Sequence, residues 1–519
     1  MMLPAKKENN NVNEANTIEQ ILRRGDDKAP AIGAPEHETM NFATLRGLVA
    51  ATVARLNALG IGRNDRVAIV VPNGPRAATG FLAIGAGATT APLNPAYRAD
   101  EYEFYLSDLN AKALVIEAGM DNPVIGVAQK LGVPIIDLVP QAGPAGGFTL
   151  EPRGAMSGKP TSSGFSQPDD IALVLHTSGT TSRPKIVPLS PANIAATARH
   201  IGVTLQLTPA DRCLNVMPLF HIHGLMAATL SSLAAGAGVY CTPGFNALKF
   251  FAWLDEVKPT WYTAVPTMHQ AILLRAERNR DSIARSKLRF IRSSSSSLPP
   301  QVLAELEKTF GCRVIEAYGM TEAAHQMASN PLPPRARKPG SVGIAAGPEV
   351  AIMDETGKLL GAGEIGEVVI RGPNVTRGYE NNPKANASAF TDGWFRTGDQ
   401  GVIDDEGYLS LTGRLKELIN RGGEKISPRE VDEILLDHDA VEQALTFALP
   451  HDMLGEDVAA AVVLREGKEA GERELRDFCA KRLADFKVPR KIVFLKEIPK
   501  GATGKLQRIG LAEKLGLRK

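Results

Sequence analysis

Strand-like and helix-like patterns alternate over the first part of the chain. Residues 66–71 and 113–117 are largely apolar runs of strand length, and residues 77–86 have a helical pattern between them. Leucines and valines recur at helical spacing between positions 45 and 59, and Gly60 can end that helix in left-handed geometry. Parallel strands need long crossover connections, which helices supply. The alternation therefore predicts an α/β fold with a parallel, doubly wound sheet.

The length of the chain predicts more than one domain. At 519 residues it exceeds what a single hydrophobic core normally supports. Residues 143–166 are rich in Gly, Pro and Ser, which predicts a linker before a second α/β unit. Residues 340–411 are β-rich, with the clearest strand pattern at 367–372. The last hundred or so residues predict a small α+β unit.

Charge and cysteine content limit the classes of partner. The formal net charge of +2 at pH 7 gives no field strong enough to indicate a nucleic acid or membrane partner. Cys213, Cys241, Cys312 and Cys479 are scattered, which favours a reducing compartment over a zinc site or disulfide framework. No membrane-length apolar stretch, signal peptide or Ser-Lys-Leu ending is found. We expect a soluble cytoplasmic protein, and nothing implies a stable protein partner.

A polar loop follows one of the apolar runs. Residues 171–175 predict a buried parallel strand, and residues 176–185 (HTSGTTSRPK) leave its end, where ligands bind in such sheets. The hydroxyl groups, Arg183 and Lys185 could surround a polyphosphate. Pro184 before the lysine distinguishes this loop from the common phosphate loop. A polar surface turn is the alternative interpretation of such a loop taken alone.

Further motifs give the loop its context. They are PLFHIHG at 218–224, YTAVPTMHQ at 262–270, RFIRSSSSS at 289–297, EAYGMTEAAH at 316–325, WFRTGD at 394–399, NRGGEKISP at 420–428 and PKGATGKLQR at 499–508. With the loop, they resemble the signature of the adenylate-forming (AMP-binding) superfamily, which includes acyl-CoA synthetases, aryl-CoA ligases, firefly luciferase and peptide-synthetase adenylation domains. The resemblance extends from about residue 44 to residue 508 and is strongest to the oxalate-CoA ligase and peroxisomal coenzyme A synthetase branch.

The resemblance implies a domain organisation. A disordered tail would occupy residues 1–16, and an adenylate-forming N-terminal domain residues 17–413. That large domain would contain two doubly wound α/β subdomains and a β-rich subdomain. A hinge at 414–417, centred on Lys416, would connect it to a small mobile α+β domain at 418–519.

The resemblance also implies roles for individual residues. Tyr318 would pack on adenine, Thr321 would bind the α-phosphate, and Glu322 would hold Mg²⁺. Asp399 would bind both ribose hydroxyls, and Arg414 would reach the ribose or a phosphate. A single carboxylate suits Mg²⁺ that is bound together with phosphates. The complete set implied for ATP or AMP is Thr177, Ser178, Gly179, Thr180, Thr181, Lys185, Ser295, Glu316, Ala317, Tyr318, Thr321, Asp399, Arg414 and Lys505.

The resemblance also implies residues for catalysis and for recognition of the acid, and some of them belong to the nucleotide set as well. Lys505, Thr321, Glu322 and His221 would be catalytic, with Lys505 on a mobile loop tip. The acyl pocket would be formed by His221, His223, Ser294, Gly319 and His325. Gly422, Gly423 and Lys425 would bind coenzyme A as co-substrate. Two histidines at 221 and 223 could also indicate a metal site, but nothing nearby in the sequence completes a ligand shell.

The implied reaction is ATP-dependent ligation of a small carboxylic acid to CoA through an acyl adenylate, with oxalate as the leading acid. A short- or medium-chain fatty acid or aryl acid ligase is the enzyme alternative, and a nucleotide-binding sensor the non-enzyme alternative. Amino-acid adenylation is disfavoured because His221 stands where an ammonium-binding Asp would be. Two positions depart from the family pattern: Ile186 replaces the usual Gly, and Gly319 replaces Ala, which predicts a deeper pocket floor.

Overall fold

The computed structural model describes residues 15–177, 184–500 and 506–517. The predicted tail therefore lies almost entirely outside the described residues. Helices connect the strands of four β-sheets. They are Ile18–Leu22, Phe42–Ala58, Pro75–Gly85, Ala99–Leu109, Val124–Leu131, Pro191–Thr204, Ser231–Ala234, Phe250–Val257, Pro266–Ala276, Arg280–Arg285, Pro300–Phe310, Pro383–Ala389, Pro428–Leu436, Glu472–Ala480 and Leu511–Lys514, with a π-helix at His223–Leu230 and 3₁₀ turns at Glu277–Asn279, Thr321–Ala323 and Asp485–Lys487.

The first sheet contains the strands predicted near the N-terminus. Its seven strands lie in the order Phe148–Pro152, Ile135–Pro140, Ala113–Glu117, Arg66–Val70, Thr89–Pro92, Leu173–Thr177 and Lys185–Leu189. The central strands pair in parallel and the outermost pair on each side is antiparallel. The strand predicted at 113–117 is confirmed, and the helix predicted at 45–59 is observed at Phe42–Ala58.

The predicted linker and the position of the polar loop need correction. Residues 143–166 contain the strand Phe148–Pro152, which pairs with Ile135–Pro140. The polar loop follows Leu173–Thr177, which pairs in parallel with Thr89–Pro92 and antiparallel with Lys185–Leu189. The loop therefore connects two strands of the first sheet and does not open a second unit. Local patterns indicate a strand but not its partner, which is why the prediction was wrong.

Most of the second sheet follows the first in the chain, but two of its strands, Pro30–Gly33 and Met40–Asn41, come from near the N-terminus. Its nine strands lie in the order Ile344–Ala345, His325–Ser329, Arg313–Met320, Phe290–Ser294, Trp261–Ala264, Arg212–Asn215, Gly238–Cys241, Pro30–Gly33 and Met40–Asn41. The pairs from Gly238–Cys241 to Arg313–Met320 are parallel, so the carboxyl ends of these strands share one edge.

Two smaller sheets complete the fold. The third contains Glu349–Met353, Gly366–Arg371, Trp394–Ile403, Phe390–Thr391 and Leu409–Arg414, and the fourth Glu424–Ile426, Ile419–Arg421, Gly455–Leu464, Val441–His451 and Lys491–Phe494. The predicted fold class is confirmed: two α/β sheets, a β-rich third sheet and a small α+β unit. Within the described ranges, no helix combines the length and apolar character needed to cross a bilayer.

The hydrophobic cores show which sheets are packed as one body. A single core contains Leu173 of the first sheet, Phe290 of the second and Val368 of the third, all fully buried. The fourth sheet has cores of its own, in which Val462 and Phe447 are buried. The first three sheets therefore form one rigid support for any site at their strand ends.

A matched pair of leucine substitutions tests this shared core. Leu82→Ala in Pro75–Gly85 removes a side chain that is 0 % exposed. We expect it to lower the free energy of unfolding by about 2–5 kcal/mol, because the cavity cannot fully collapse. Leu274→Ala in Pro266–Ala276 removes a side chain that is 70 % exposed and should change it by less than about 0.5 kcal/mol. Equal losses in denaturant titrations would contradict the packing described.

Candidate active site

Three of the predicted nucleotide residues form one connected group. Tyr318 lies near the end of Arg313–Met320, Asp399 lies in Trp394–Ile403, and Arg414 ends the neighbouring strand directly opposite Asp399. The Tyr318 hydroxyl donates to the Asp399 carboxylate, and Arg414 Nε lies 3.2 Å from Asp399 Oδ1. Asp399 raises the pKa of Arg414, and burial raises the pKa of Tyr318. A carboxylate and a guanidinium are thus fixed beside an aromatic ring.

A second group surrounds Glu322. This carboxylate lies in the turn Thr321–Ala323, is 5 % exposed, and accepts a hydrogen bond of 2.9 Å from the Tyr379 hydroxyl. Lys185 Nζ lies 4.2 Å from the centroid of the Tyr379 ring. Burial raises the pKa of Glu322, while burial and the nearby Lys416 lower the pKa of Lys185. Opposite charges from the first and second sheets therefore face one aromatic residue.

The donor set around Glu322 fits a magnesium ion that is delivered with phosphates. Among residues 15–177, 184–500 and 506–517, no three His, Cys, Asp or Glu side chains are grouped to hold a metal by themselves. Mg²⁺ bound to a nucleotide needs only one or two protein carboxylates and takes its other ligands from phosphate and water. Burial holds the pKa of Glu322 above its ordinary value, so a nearby cation would favour the ionised form.

The polar loop is described only at its two ends. Thr177 and Lys185 lie directly opposite each other on the antiparallel strands that enter and leave the loop. Ser178, Gly179, Thr180 and Thr181 lie outside the described residues, as does Lys505. Ile186, which departs from the family pattern, is 4 % exposed and packs in an apolar cluster of the first sheet.

The remaining predicted nucleotide residues lie along neighbouring strands of the second sheet. Glu316 is 4 % exposed, and burial raises its pKa to about 7. Ala317 accepts a hydrogen bond of 2.8 Å from the Ser294 hydroxyl, so that Ser294, predicted to line the acyl pocket, binds the backbone of the next strand. Ser295 follows the strand end with a φ of 76°. Thr321 begins the turn that carries Glu322.

A buried polar cluster lies at the predicted acyl pocket. His223 Nδ1 lies 3.0 Å from Ser295 Oγ, and His223 Nε2 lies 2.6 Å from Thr263 Oγ1. The rings of His223 and His325 stack with centroids 5.1 Å apart. Arg292 Nη1 lies 3.5 Å from His223 Nε2, and Arg292 Nη2 lies 3.3 Å from His325 Nε2. The cluster, defined by these five residues, is called the Arg292 cluster below.

Backbone geometry holds this cluster in place. His223 begins the fully buried π-helix His223–Leu230, a rare conformation that frequently occurs at functional sites. His325 has a φ of 116°, which is costly for a residue with a side chain and is tolerated where the surroundings impose it. His221, also predicted here, is half-buried, and its Nδ1 accepts from the backbone N–H of His223 at 3.3 Å.

The predicted deepening of the pocket at Gly319 is not observed. A Cβ atom at this position would lie 1.9 Å from the carbonyl oxygen of His325 and 3.0 Å from its Nδ1. His325 therefore fills the space beside Gly319, at a point where the pairing of the two strands is irregular. The backbones of Gly319 and His325 approach closely, so the absence of an alanine methyl group at position 319 leaves no cavity there.

The predicted coenzyme A residues lie on an exposed hairpin of the fourth sheet. Gly422 and Gly423 have φ values of 61° and 102°, which side-chain-bearing residues rarely adopt. Gly422 N donates to the Leu454 carbonyl at 2.9 Å. Lys425 lies on the following strand and is exposed, as is Lys416 in the segment between the third and fourth sheets.

Sequence reasoning missed Arg292, Thr263 and Tyr379. Arg292 had one available signal, since it is a charged residue among Phe290 and Ile291 in a strand whose other residues are apolar or small. Thr263 and Tyr379 carry no local signal, because each acquires its contact from a residue far along the chain. The clusters are assembled by tertiary packing and are visible only in three dimensions.

The fold and site together define a mixed α/β enzyme of the adenylate-forming type, with a large N-terminal and a small C-terminal part. The family model of AMP-binding enzymes matches residues 19–380, and that of the AMP-binding enzyme C-terminal domain matches residues 430–505. The chain belongs to the AMP-binding enzyme family.

Relatives in plants and yeast are similar over almost the whole chain. The oxalate-CoA ligase of Arabidopsis thaliana is 45 % identical over 497 residues, which are 95 % of this chain and 96 % of that protein. The oxalate-CoA ligase of Saccharomyces cerevisiae is 44 % identical over 475 residues, 87 % of each chain. ATP-bound MatB from Rhodopseudomonas palustris has a TM-score of 0.85 at 30 % identity, covering 96 % of this chain and 99 % of that one.

The contact between Tyr379 and Glu322 can be tested by removing one hydroxyl. In Tyr379→Phe the ring facing Lys185 remains but the hydrogen bond to Glu322 is lost. We expect kcat/KM for ATP to fall about tenfold, because partners that orient an ion-binding carboxylate typically contribute that much. Tyr240, in the second sheet, has a hydroxyl that lies 3.0 Å from Thr39 Oγ1, and Tyr240→Phe should leave kcat/KM for ATP unchanged. Equal values for the two variants would contradict the role of Tyr379.

Proposed function

We propose that this protein is an AMP-forming acid–CoA ligase whose acid is oxalate. The observation that carries the proposal is the proximity of two groups of residues: Tyr318 with Asp399 and Arg414, and Lys185 with Tyr379 and Glu322. Such an arrangement suits a ribose at one end and a triphosphate at the other. The oxalate-CoA ligases described above are similar along nearly their full length.

In the first step of the proposed reaction, a carboxylate oxygen of oxalate attacks the α-phosphorus of ATP. The bond between the α-phosphorus and the bridging oxygen breaks, and pyrophosphate leaves with that electron pair. Lys185 and Lys505 would stabilise negative charge on the phosphates, and Asp399 would bind the ribose hydroxyls. Mg²⁺ held by Glu322 would neutralise charge on the phosphate oxygens. Positioning and fixed electrostatics suffice for this step.

In the second step, the CoA thiol loses its proton to solvent, and the resulting thiolate attacks the acyl carbon of the adenylate. The bond from that carbon to the phosphate oxygen breaks, and AMP leaves with that electron pair. We propose that the fourth sheet turns about Lys416, which would withdraw Lys505 and bring the Gly422–Gly423 hairpin to the acyl group. Arg508 supports this coupling, since it lies 3.3 Å from Glu417 in the hinge and 2.7 Å from Asp432 in the C-terminal part.

The acyl pocket favours a small polar acid over a fatty acid. His223 and Thr263 are fully buried and point their polar atoms at one another, whereas a fatty-acyl tunnel would have an apolar lining. We also propose that the enzyme acts in the cytoplasm. Its four cysteines are free thiols, which fits a reducing compartment.

The experiment that tests the proposal measures CoA-dependent AMP release from ATP and Mg²⁺ with oxalate, malonate, butyrate, octanoate or coumarate. We expect kcat/KM to be highest for oxalate. Preference for octanoate or coumarate would support the ligase activity but contradict oxalate as the acid. Nucleotide binding without AMP release for any acid would contradict the enzyme and favour a nucleotide sensor.

The separate role of Lys505 gives a second prediction. Lys505→Ala should lower the rate of adenylate formation by roughly 10² to 10³, as expected for loss of one preorganised donor, and should largely spare thioester formation from supplied acyl adenylate. Lys500→Ala is the control, because Lys500 already pairs with Glu497 at 2.8 Å and should affect neither step. If Lys505→Ala lowered the rates of adenylate formation and thioester formation equally, the proposed rotation of the fourth sheet between the two steps would be contradicted.

A further inference from the structure

Arg292 is a fully buried cation in the second sheet. It lies in the strand Phe290–Ser294 and is 0 % exposed. Burial lowers the pKa of its guanidinium to about 9, which leaves it charged at neutral pH. In the described part of the chain, no carboxylate forms an ion pair with it, and its Nε has no hydrogen-bond partner. A charged group removed from water without a counterion is strongly destabilising.

The groups around Arg292 are polar side chains. Its Nη1 lies 3.4 Å from Thr263 Oγ1, and its two terminal nitrogens lie 3.5 Å and 3.3 Å from the Nε2 atoms of His223 and His325. Ring nitrogens that face a guanidinium act as acceptors, so the protons of these histidines belong on Nδ1. These contacts partly solvate the cation but do not neutralise it.

The position of the Arg292 cluster relates it to the nucleotide residues. His325 pairs directly with Met320 across two antiparallel strands. Tyr318 and Thr321 lie on either side of Met320 within a few residues, and they belong to the proposed adenine and α-phosphate sites. Ser295 and His325 hold positive φ values of 76° and 116° at this point. The cluster therefore borders the place where the acid must meet the α-phosphate.

We propose that Arg292 is the specificity residue that binds the non-reacting carboxylate of a short dicarboxylate. The inference rests on the proposed function and deepens it. The second carboxylate would supply a counterion, which no described residue provides for Arg292, and its geometry matches the planar, multi-donor guanidinium. A monocarboxylate would leave the cation uncompensated, which gives discrimination by charge and not by size alone.

The test compares oxalate with oxamate, which has nearly the same shape but carries an amide in place of the second carboxylate. We expect the wild-type protein to have a kcat/KM for oxalate about 10² to 10³ times that for oxamate, as typical for a buried charge pair that loses one partner. This ratio needs no variant. A ratio near one would overturn the proposal.

Arg292→Met should lower kcat/KM for oxalate by about 10² to 10³ and change that for oxamate by less than about fivefold. Its melting temperature should not fall, because the variant removes a buried charge that has no ion-pair partner. Arg292→Lys keeps the charge without the planar fork and should recover part of the oxalate preference. Arg313→Met, which changes a 58 % exposed arginine on the neighbouring strand, should leave both constants unchanged.

Three outcomes separate this proposal from the proposed function. Use of octanoate in place of oxalate by the wild-type protein would overturn both the acid and the role of Arg292. If the wild-type protein uses oxalate and Arg292→Met leaves the ratio of kcat/KM for oxalate to kcat/KM for oxamate unchanged, only the specificity role of Arg292 would be overturned. Equal loss of both substrates in Arg292→Met and Arg292→Lys, or a large fall in melting temperature, would show that Arg292 is structural and also overturn its specificity role.

Discussion

Tyr318 and Asp399 belong to different sheets, and the hydrogen bond between them fixes the second sheet against the third. Asp399 in turn faces Arg414 across a strand pair, so one buried contact aligns an aromatic ring, a carboxylate and a guanidinium. The shared hydrophobic core beneath makes this alignment rigid. The site depends on that rigidity, because a nucleotide bound loosely would not place its α-phosphate against the acid.

The charged groups of the site are buried or half-buried, and a bound ligand would change their ionisation. Burial raises the pKa of Glu322 and lowers those of Lys185 and Arg292. Shifted pKa values are concentrated at functional sites, where charged groups interact with the charges of a bound substrate. Phosphates, a divalent cation and a carboxylate would each meet a group of opposite sign. In the proposed function, the protein would provide fixed charges and its substrates the compensating ones.

The sequence predicted local elements better than their partners. Ala113–Glu117 was predicted at its observed bounds because a short apolar run containing Val and Ile favours a buried strand over a helix of ordinary length. The strand Leu173–Thr177 was found, but its sheet was assigned wrongly, since pairing is decided by distant strands. The nucleotide residues came from the family resemblance, and among them Tyr318, Asp399 and Arg414 lie together. Arg292 and Tyr379 were missed because their significance comes from burial and from contacts far away in the chain.

Activation of the acid as an adenylate is tested most directly by following the oxygen atoms of the acid. Oxalate labelled with heavy oxygen would be supplied with ATP, Mg²⁺ and CoA, and the isotope content of AMP and pyrophosphate measured by mass spectrometry. Attack of the carboxylate on the α-phosphorus predicts one labelled oxygen in each AMP and none in pyrophosphate. Label in a phosphate other than that of AMP, or unlabelled AMP, would contradict the adenylate mechanism.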